Sequence, residues 1–399
     1  MTEVNGRELP ALDTFPGLLL ALTALSGEMP TAQVSRLPAA DTYKEYAVKQ
    51  LKRDNLLRTF YRNGVRGLRL TAAAKDLLMA SWPDQFSLYL SGSVETNQLK
   101  SEVSRRLRLH RMAEVLVTMY DADISVLPWE KPALFGPVPP DEMPVLEQAA
   151  YYSSRELKEL GEKAVKIRGS RSTGILLTDG DIFVIYNTGP GQMKKWKYSS
   201  EVRLRVMLMM ELEKTRVPAR SRRTAPSAVI FAADMSQMFP LMGDGKNDEG
   251  GKRGRKRKNG KDSEDGRHTY FVLDGTFEHF YYLTHDHRGE VILQLLCYPG
   301  EKAILDSRLS GDLDPPRPNW MVANDAMDGD EPVLFAYTCD MPRIRRFDSA
   351  LAVNGRKGSL YCFDFQEDAI RQVCSSCVRI KTIDFDEYER SVFLSPENS

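Results

Sequence analysis

Thr42, Tyr46, Lys49 and Arg53 recur at i, i+4, i+7 and i+11. On a helix that spacing makes one outward stripe, and it joins hydroxyl hydrogen-bonding groups to two cations. Such a stripe can address base edges and phosphate oxygens together. Just beyond it, residues 57–62 and 65–70 flank Asn63-Gly64. Asn-Gly between two strand-like runs is the strongest short hairpin signal, because both turn positions need positive φ. The two runs carry Arg58, Arg62, Arg66 and Arg69. Residues 43–75 hold nine basic side chains, Lys52 among them, against two acidic ones, a local charge of +7. Phosphate contact is what a concentrated basic hairpin best explains. The plainer alternative is a protein-docking module with a solvated basic face.

Several elements must position those residues. Residues 14–26 are Leu-rich and end at Gly27, a helix with a C-terminal stop. Residues 30–37 read as a short second helix closed by Pro38. Asp41 or Thr42 then caps a third helix through Arg53, with Ala40, Ala47, Val48 and Leu51 inward. After the hairpin, residues 71–75 open a fourth helix ending near Trp82. Three helices followed by a two-stranded hairpin form the winged helix-turn-helix arrangement, with the third helix in the major groove and the hairpin on the backbone. The expectation is therefore a double-stranded DNA reader over residues 1–82.

Residues 83–120 read as a linking region, with a long helix from Asn97 to Tyr120 that braces the next domain or mediates dimerisation. Its His110 lies on the apolar side with Arg106 one turn before, the pattern of a packing histidine, while Arg105, Arg108 and Arg111 lie away from that side. Six prolines make 121–150 an irregular connection. A first α/β region spans 151–242: a short helix capped by Ser153, a tight hairpin about Asp179-Gly180-Asp181, and an apolar helix from Glu201 to Lys214. Residues 243–267 contain the basic run 252–261 and read as a loop. A second region, 268–399, holds 13 basic against 22 acidic residues. Val229-Ile230-Phe231-Ala232 before Asp234 echoes Val333-Leu334-Phe335-Ala336 before Asp340, each a buried strand whose exit Asp caps a helix. The fold class is α/β (α+β overall), an N-terminal winged helix followed by mixed α/β regions.

Other constellations are less complete. His285-Asp286-His287 reads as a turn between strands at 280–283 and 291–296 rather than a metal site. Cys374-Ser375-Ser376-Cys377 falls near the end of a helix without a second ligand pair. Glu156-Leu157-Lys158 has the letters of a nuclease motif but sits on an expected helix. Neither a phosphate-binding glycine loop nor a nucleophile elbow is present. No catalytic residue, metal or cofactor is assigned, and the chain reads more as a binder than as an enzyme.

Composition agrees with a globular protein of two or three cores: 399 residues, 42% hydrophobic and 28% charged. Its zero net charge conceals the local basic stretch. Five cysteines point to a reducing compartment. The one apolar run, 18–25, follows acidic residues and is too short to cross a bilayer, so the expected location is cytoplasmic with no membrane partner.

Residues 106–115 (Arg-Leu-Arg-Leu-His-Arg-Met-Ala-Glu-Val), 152–158 and 166–171, taken with the preceding helices and hairpin, resemble the replication-relaxation family of plasmids and integrative conjugative elements of Gram-positive bacteria. The resemblance spans roughly residues 14–215. It implies a winged helix joined to a nuclease-like core, acting in replication, transfer or transcriptional control of a mobile element, with itself or other replication and transfer proteins as partners. Where such a core would carry metal-binding acids, the strands here read Ile-Leu-Leu and Ile-Phe-Val-Ile-Tyr. The resemblance thus implies DNA binding more than a metal-dependent nicking activity.

Overall fold

The structure, a computed structural model, describes residues 3–4, 7–91, 102–134, 146–159, 170–189, 198–214, 225–242, 275–318 and 320–393. The basic run 252–261 lies outside them, as do 160–169 and 97–101.

The chain opens with a small ribbon, β1 (Glu3–Val4) and β2 (Arg7–Glu8). Helix α1 (Phe15–Ser26) follows, capped by Thr14 and stopped at Gly27 with φ 83°. Eleven of its twelve residues are buried, so it runs through the core rather than along a surface. Then come β3 (Met29–Pro30), α2 (Thr31–Val34), α3 (Asp41–Arg53), β4 (Leu57–Arg62), β5 (Val65–Leu70), α4 (Ala72–Ser81) and α5 (Pro83–Leu90). The three strands form a sheet in the order β3-β5-β4, all pairs antiparallel. Asn63 and Gly64 both take positive φ, 51° and 77°, as the expected two-residue turn requires. A Cβ at Gly64 would meet nothing within 4 Å, so only its backbone conformation resists substitution. Gly64→Ala is accordingly expected to cost about 1 kcal/mol in chemical denaturation, without altering the core.

Helix α6 (Val103–Asp121) links this unit to the rest of the chain. Beyond it, β6 (Ala150–Ser153), β7 (Gly174–Leu177), β8 (Ile182–Gly189), α7 (Tyr198–Lys214), β9 (Ser227–Ala232), α8 (Met238–Met242) and β10 (Phe280–Thr284) build a sheet ordered β10-β9-β8-β7-β6. Its β8, β9 and β10 are mutually parallel, while β7 pairs antiparallel with both β6 and β8. Next are α9 (His287–Cys297), α10 (Pro299–Leu309), β11 (Ala326–Asp328), β12 (Glu331–Phe335), α11 (Met341–Val353), β13 (Gly358–Phe363), α12 (Glu367–Val373), β14 (Val378–Ile383) and α13 (Phe385–Phe393). A second sheet runs β11-β12-β13-β14, with the last three parallel.

Alternate residues of the first sheet enter different cores. Val229, Phe231, Phe183 and Ile185 join the core that contains α1 and α6. Ala228, Ile230, Val184 and Tyr186 join one with α7, α8 and α11. A sheet covered on both faces needs near-continuous apolar strands, which explains runs such as Ile-Leu-Leu and Ile-Phe-Val-Ile-Tyr. The overall class is mixed α/β, and no described helix is long and apolar enough to cross a membrane.

Several local expectations change. Residues 150–153 are a strand ending at Ser153, and the short helix that follows is a 3-10 turn at Glu156–Glu159. Residues 291–296 belong to α9, which begins directly after β10 because Asp286 caps it, accepting from the Gly289 amide at 3.1 Å. The apolar run there is a helix packed on the sheet, not the second arm of a hairpin. Cys374 ends α12, and Cys377 precedes β14, so the pair lies in a turn outside the helix. In the strand–Asp echo, Asp234 does cap its turn, accepting from Ser236 at 2.8 Å. Asp340 heads α11 but spends its carboxylate elsewhere, on His279 at 2.6 Å and the Phe280 amide at 3.2 Å.

Candidate nucleic-acid interface

Helix α3 is anchored from below by Ala47 and Leu51, both buried. Its start is fixed differently from the sequence expectation. Ala40 occupies the cap position without a side-chain bond, and Asp41 is already helical. Instead Lys44 turns inward, donating to the Ser35 carbonyl at 2.6 Å and pairing with Asp41 at 3.2 Å. This ties α2 to α3 and withdraws one lysine from the basic face. Thr42, Tyr46, Lys49 and Arg53 are all exposed, as the helical spacing requires. Lys49 carries only an exposed pairing with Glu45, at 3.6 Å, a contact worth little in water.

Strand parity divides the hairpin arginines. Register pairs Arg58 with Arg69, Phe60 with Gly67 and Arg62 with Val65, which places these residues on one face. Arg66 pairs with Tyr61 on the other. That second face looks toward α3: a groove of about 440 Å³ lies between them, with Lys49, Lys52 and Arg66 on its walls and Val48 and Leu68 at its floor. Lys52 is half-buried there, and its proton affinity is lowered first by burial and then by Arg66. Asp41 and Glu45 line the same groove, so its charge is mixed, with Lys52 and Arg66 the pair that repel each other.

Arg69 is not part of this surface, which corrects the expectation for it. It is 3% exposed, because β5 is the central strand and its 67–70 segment is covered on both faces. Its partner is Glu28, fully buried just before β3, with Nε and Nη2 donating to one carboxylate oxygen at 2.9 and 2.7 Å. Arg106 donates to the same carboxylate, with its Nη2 2.5 Å from Oε1, and His110 Nε2 lies 2.9 Å from that oxygen. Burial alone would raise the Glu28 pKa, but the bonds from His110, Arg106 and Arg69 outweigh it and bring it down to about 2. Arg106 also donates to the Phe60 and Arg62 carbonyls, each at 3.1 Å. The guanidinium groups of Arg69 and Arg106 stack over the Phe60 ring. The hairpin tip is thus bolted to α6 by one buried charge cluster.

Glu28 escaped the sequence reading, although half of its cluster was visible. Arg106 and His110 on the apolar side of one helix already demanded an internal acid.

A second cleft, about 840 Å³, separates α2 and the end of α6 from the start of α9. Arg36 crosses it, 2.5 Å from Glu290 and 3.8 Å from Asp121. Burial first, and Glu290 second, raise the Asp121 pKa to about 7. A carboxyl raised on folding contributes stability at low pH and loses it as pH rises through the folded value. The stabilising effect of Asp121→Asn is therefore expected to grow as pH rises from 4 to 8, as read by urea denaturation. His285 lies in the same cleft, with its pKa pushed down to about 3 by burial and then Arg36. Its ring stacks on Phe231 with centroids 5.2 Å apart. His287 instead faces Glu389 and Glu290 at the surface. The three consecutive residues 285–287 thus serve packing, capping and ion pairing.

Glu156 accepts from the Ser153 amide at 2.7 Å and pairs with Lys131 at 2.8 Å. Asp179 and Asp181 remain in the β7–β8 turn. Among the described residues, no three His, Cys, Asp or Glu side chains are grouped as a metal ion would need. Within the segment 152–158, Arg155 is buried and donates to the Ala24, Leu25 and Tyr89 carbonyls at 3.0, 2.7 and 2.6 Å. It closes the C-terminal end of α1 against the α/β region. Comparison with protein-family models, curated proteins and solved structures finds no match.

Proposed function

We propose that this chain binds double-stranded DNA through α3 and the β4–β5 hairpin, used as a winged helix-turn-helix. One observation carries the reading. The exposed stripe Thr42, Tyr46, Lys49 and Arg53 adjoins a groove whose opposite wall bears Arg66. The order helix, short strand, two helices and hairpin in a three-stranded antiparallel sheet supports the same reading. Thr42 and Tyr46 would address bases or nearby phosphates. Lys49, Lys52, Arg53 and Arg66 would neutralise the backbone beside them, and Arg58 and Arg62 would position the duplex from the other face of the hairpin. A part in replication, transfer or control of a mobile element follows from the sequence resemblance alone.

The test is binding of the full chain to a random duplex pool at several salt concentrations. Each phosphate contact adds about 0.9 to the log–log salt slope, so the slope counts contacts directly. Affinity without salt dependence would overturn the reading, and sequencing the retained duplexes would give the site.

A further inference from the structure

Two clefts adjoin beside the end of α6. The larger, of about 840 Å³, is faced by Asp121, Asp123, Glu130, Asp286 and Glu290, against Arg36 as its single Lys or Arg among the described residues. The smaller, of about 620 Å³, is walled by Phe15, Trp82, Leu127 and Trp129, and no described Lys or Arg lines it. Pro38, Tyr120 and Glu130 border both.

The acidic side is short of counter-charge. Arg36 is held by Glu290 at 2.5 Å and donates to Gln33 and Thr118 at 2.8 and 3.0 Å, which leaves Asp121 at 3.8 Å. Burial and Glu290 outweigh Arg36 and Lys44 at Asp121, whose pKa rises to about 7. Glu130 feels Lys131, but that lysine is paired with Glu156 at 2.8 Å. Asp123 makes no ion pair among the described residues. The inner wall adds an unfilled acceptor. Thr118 gives its proton to the Glu114 carbonyl at 2.9 Å, so His285 Nδ1, 3.4 Å away, is the donor between them. Its buried Nε2 is then a lone-pair acceptor, and it has no hydrogen-bond partner among the described residues. On the aromatic side, fully buried Phe86 meets Trp82 and Trp129 edge-on, with centroids 6.4 and 6.1 Å apart, and so sets both indoles. Trp129 is nonetheless exposed. Tyr120 belongs to both sides: after burial, Glu130, Asp121 and Asp123 raise the pKa of its phenol, so the ring lies in their common field.

We infer that the adjoining clefts bind a small organic cation, an ammonium group carried on an aromatic body. The ammonium would supply the missing counter-charge beside Asp121, Asp123 and Glu130, while its ring packs on Tyr120, Trp82 and Trp129. An anion would meet five carboxylates, and a neutral apolar ligand would desolvate them without return. A bare metal ion would leave the aromatic side unused, and no described group of three His, Cys, Asp or Glu stands ready for one. The inference is independent of duplex binding.

The experiment titrates the full chain with phenethylamine and with 3-phenylpropionate, the same ring on a carboxylate, by calorimetry and tryptophan fluorescence. Phenethylamine is expected to bind with a Kd below about 1 mM, and 3-phenylpropionate at least about 10-fold more weakly. Asp121→Asn/Glu130→Gln and Trp129→Ala should each weaken phenethylamine about 10-fold, whereas Lys49→Glu/Arg53→Glu should leave it unchanged. Urea denaturation shows whether each variant is folded. Glu130→Gln alone, at an exposed position, should weaken binding about 3-fold and carries the charge test if the double variant unfolds. The inference is overturned if phenethylamine gives no signal up to about 10 mM, if 3-phenylpropionate binds as well, or if folded carboxylate variants bind it like wild type.

Discussion

Replacing Glu28 by Gln lowers the unfolding free energy by about 3–5 kcal/mol at pH 7, the largest stability effect expected of any single polar substitution here. The amide leaves Arg69 and Arg106, both buried, facing a neutral group. Hydrophobic replacement of all partners together would cost far less, since the penalty comes from the charge left behind. The pH dependence has a definite sign. Glu28 is lowered from its ordinary range to about 2, so its contribution is complete above pH ~4.5 and is lost as pH falls toward 2. Urea denaturation at pH 7 should therefore separate wild type from E28Q widely, and the gap should narrow at pH 3. An equal gap at both values would mean that the cluster is not what holds the hairpin to α6.

Reversing charge at Lys49 and Arg53 is the second large effect. Both are exposed on α3 and remote from the buried cluster, so stability should hold within about 0.5 kcal/mol. Duplex affinity should fall on the order of 100-fold at low salt, with the salt slope lower by about 2. Tyr46→Ala should instead narrow the gap between selected and random duplexes, by about 1–3 kcal/mol if the phenol reads a base. Arg69 supplies the internal contrast. Arg69→Gln should melt at lower denaturant, and whatever binding survives should keep the wild-type salt slope. Anisotropy titrations beside denaturation curves separate the two behaviours.

Local structure was legible where one short rule decides it. Asn63-Gly64 marked the turn, Gly27 marked the end of α1, and the helical spacing from Thr42 to Arg53 named an exposed stripe. Arg69 was missed because strand burial depends on sheet order: only when β3 pairs beside β5 does that strand become central. Residues 291–296 were misjudged for a related reason. A short apolar run fits a buried strand or a buried helix face equally well, and here Asp286 settles the choice by capping α9. The inward Lys44 shows the limit of reading a charge run as a surface. Its target is a main-chain carbonyl, Ser35, whose position no residue pattern encodes. The split of the hairpin arginines, by contrast, was available from strand parity once the turn was placed.

The fork of Arg106 on two hairpin carbonyls has a thermodynamic consequence for recognition. On the proposed reading, a hairpin held by hydrogen bonds from a buried arginine would enter a DNA complex already ordered, so little conformational entropy would remain to be lost there. On that reading the fit would come from the duplex, whose groove width and bendability would be sampled against a fixed protein edge. Calorimetry on selected sites should show a heat-capacity change accounted for by contact area alone, without the excess that accompanies coupled folding. Sequence preference would then extend to base pairs that no side chain touches.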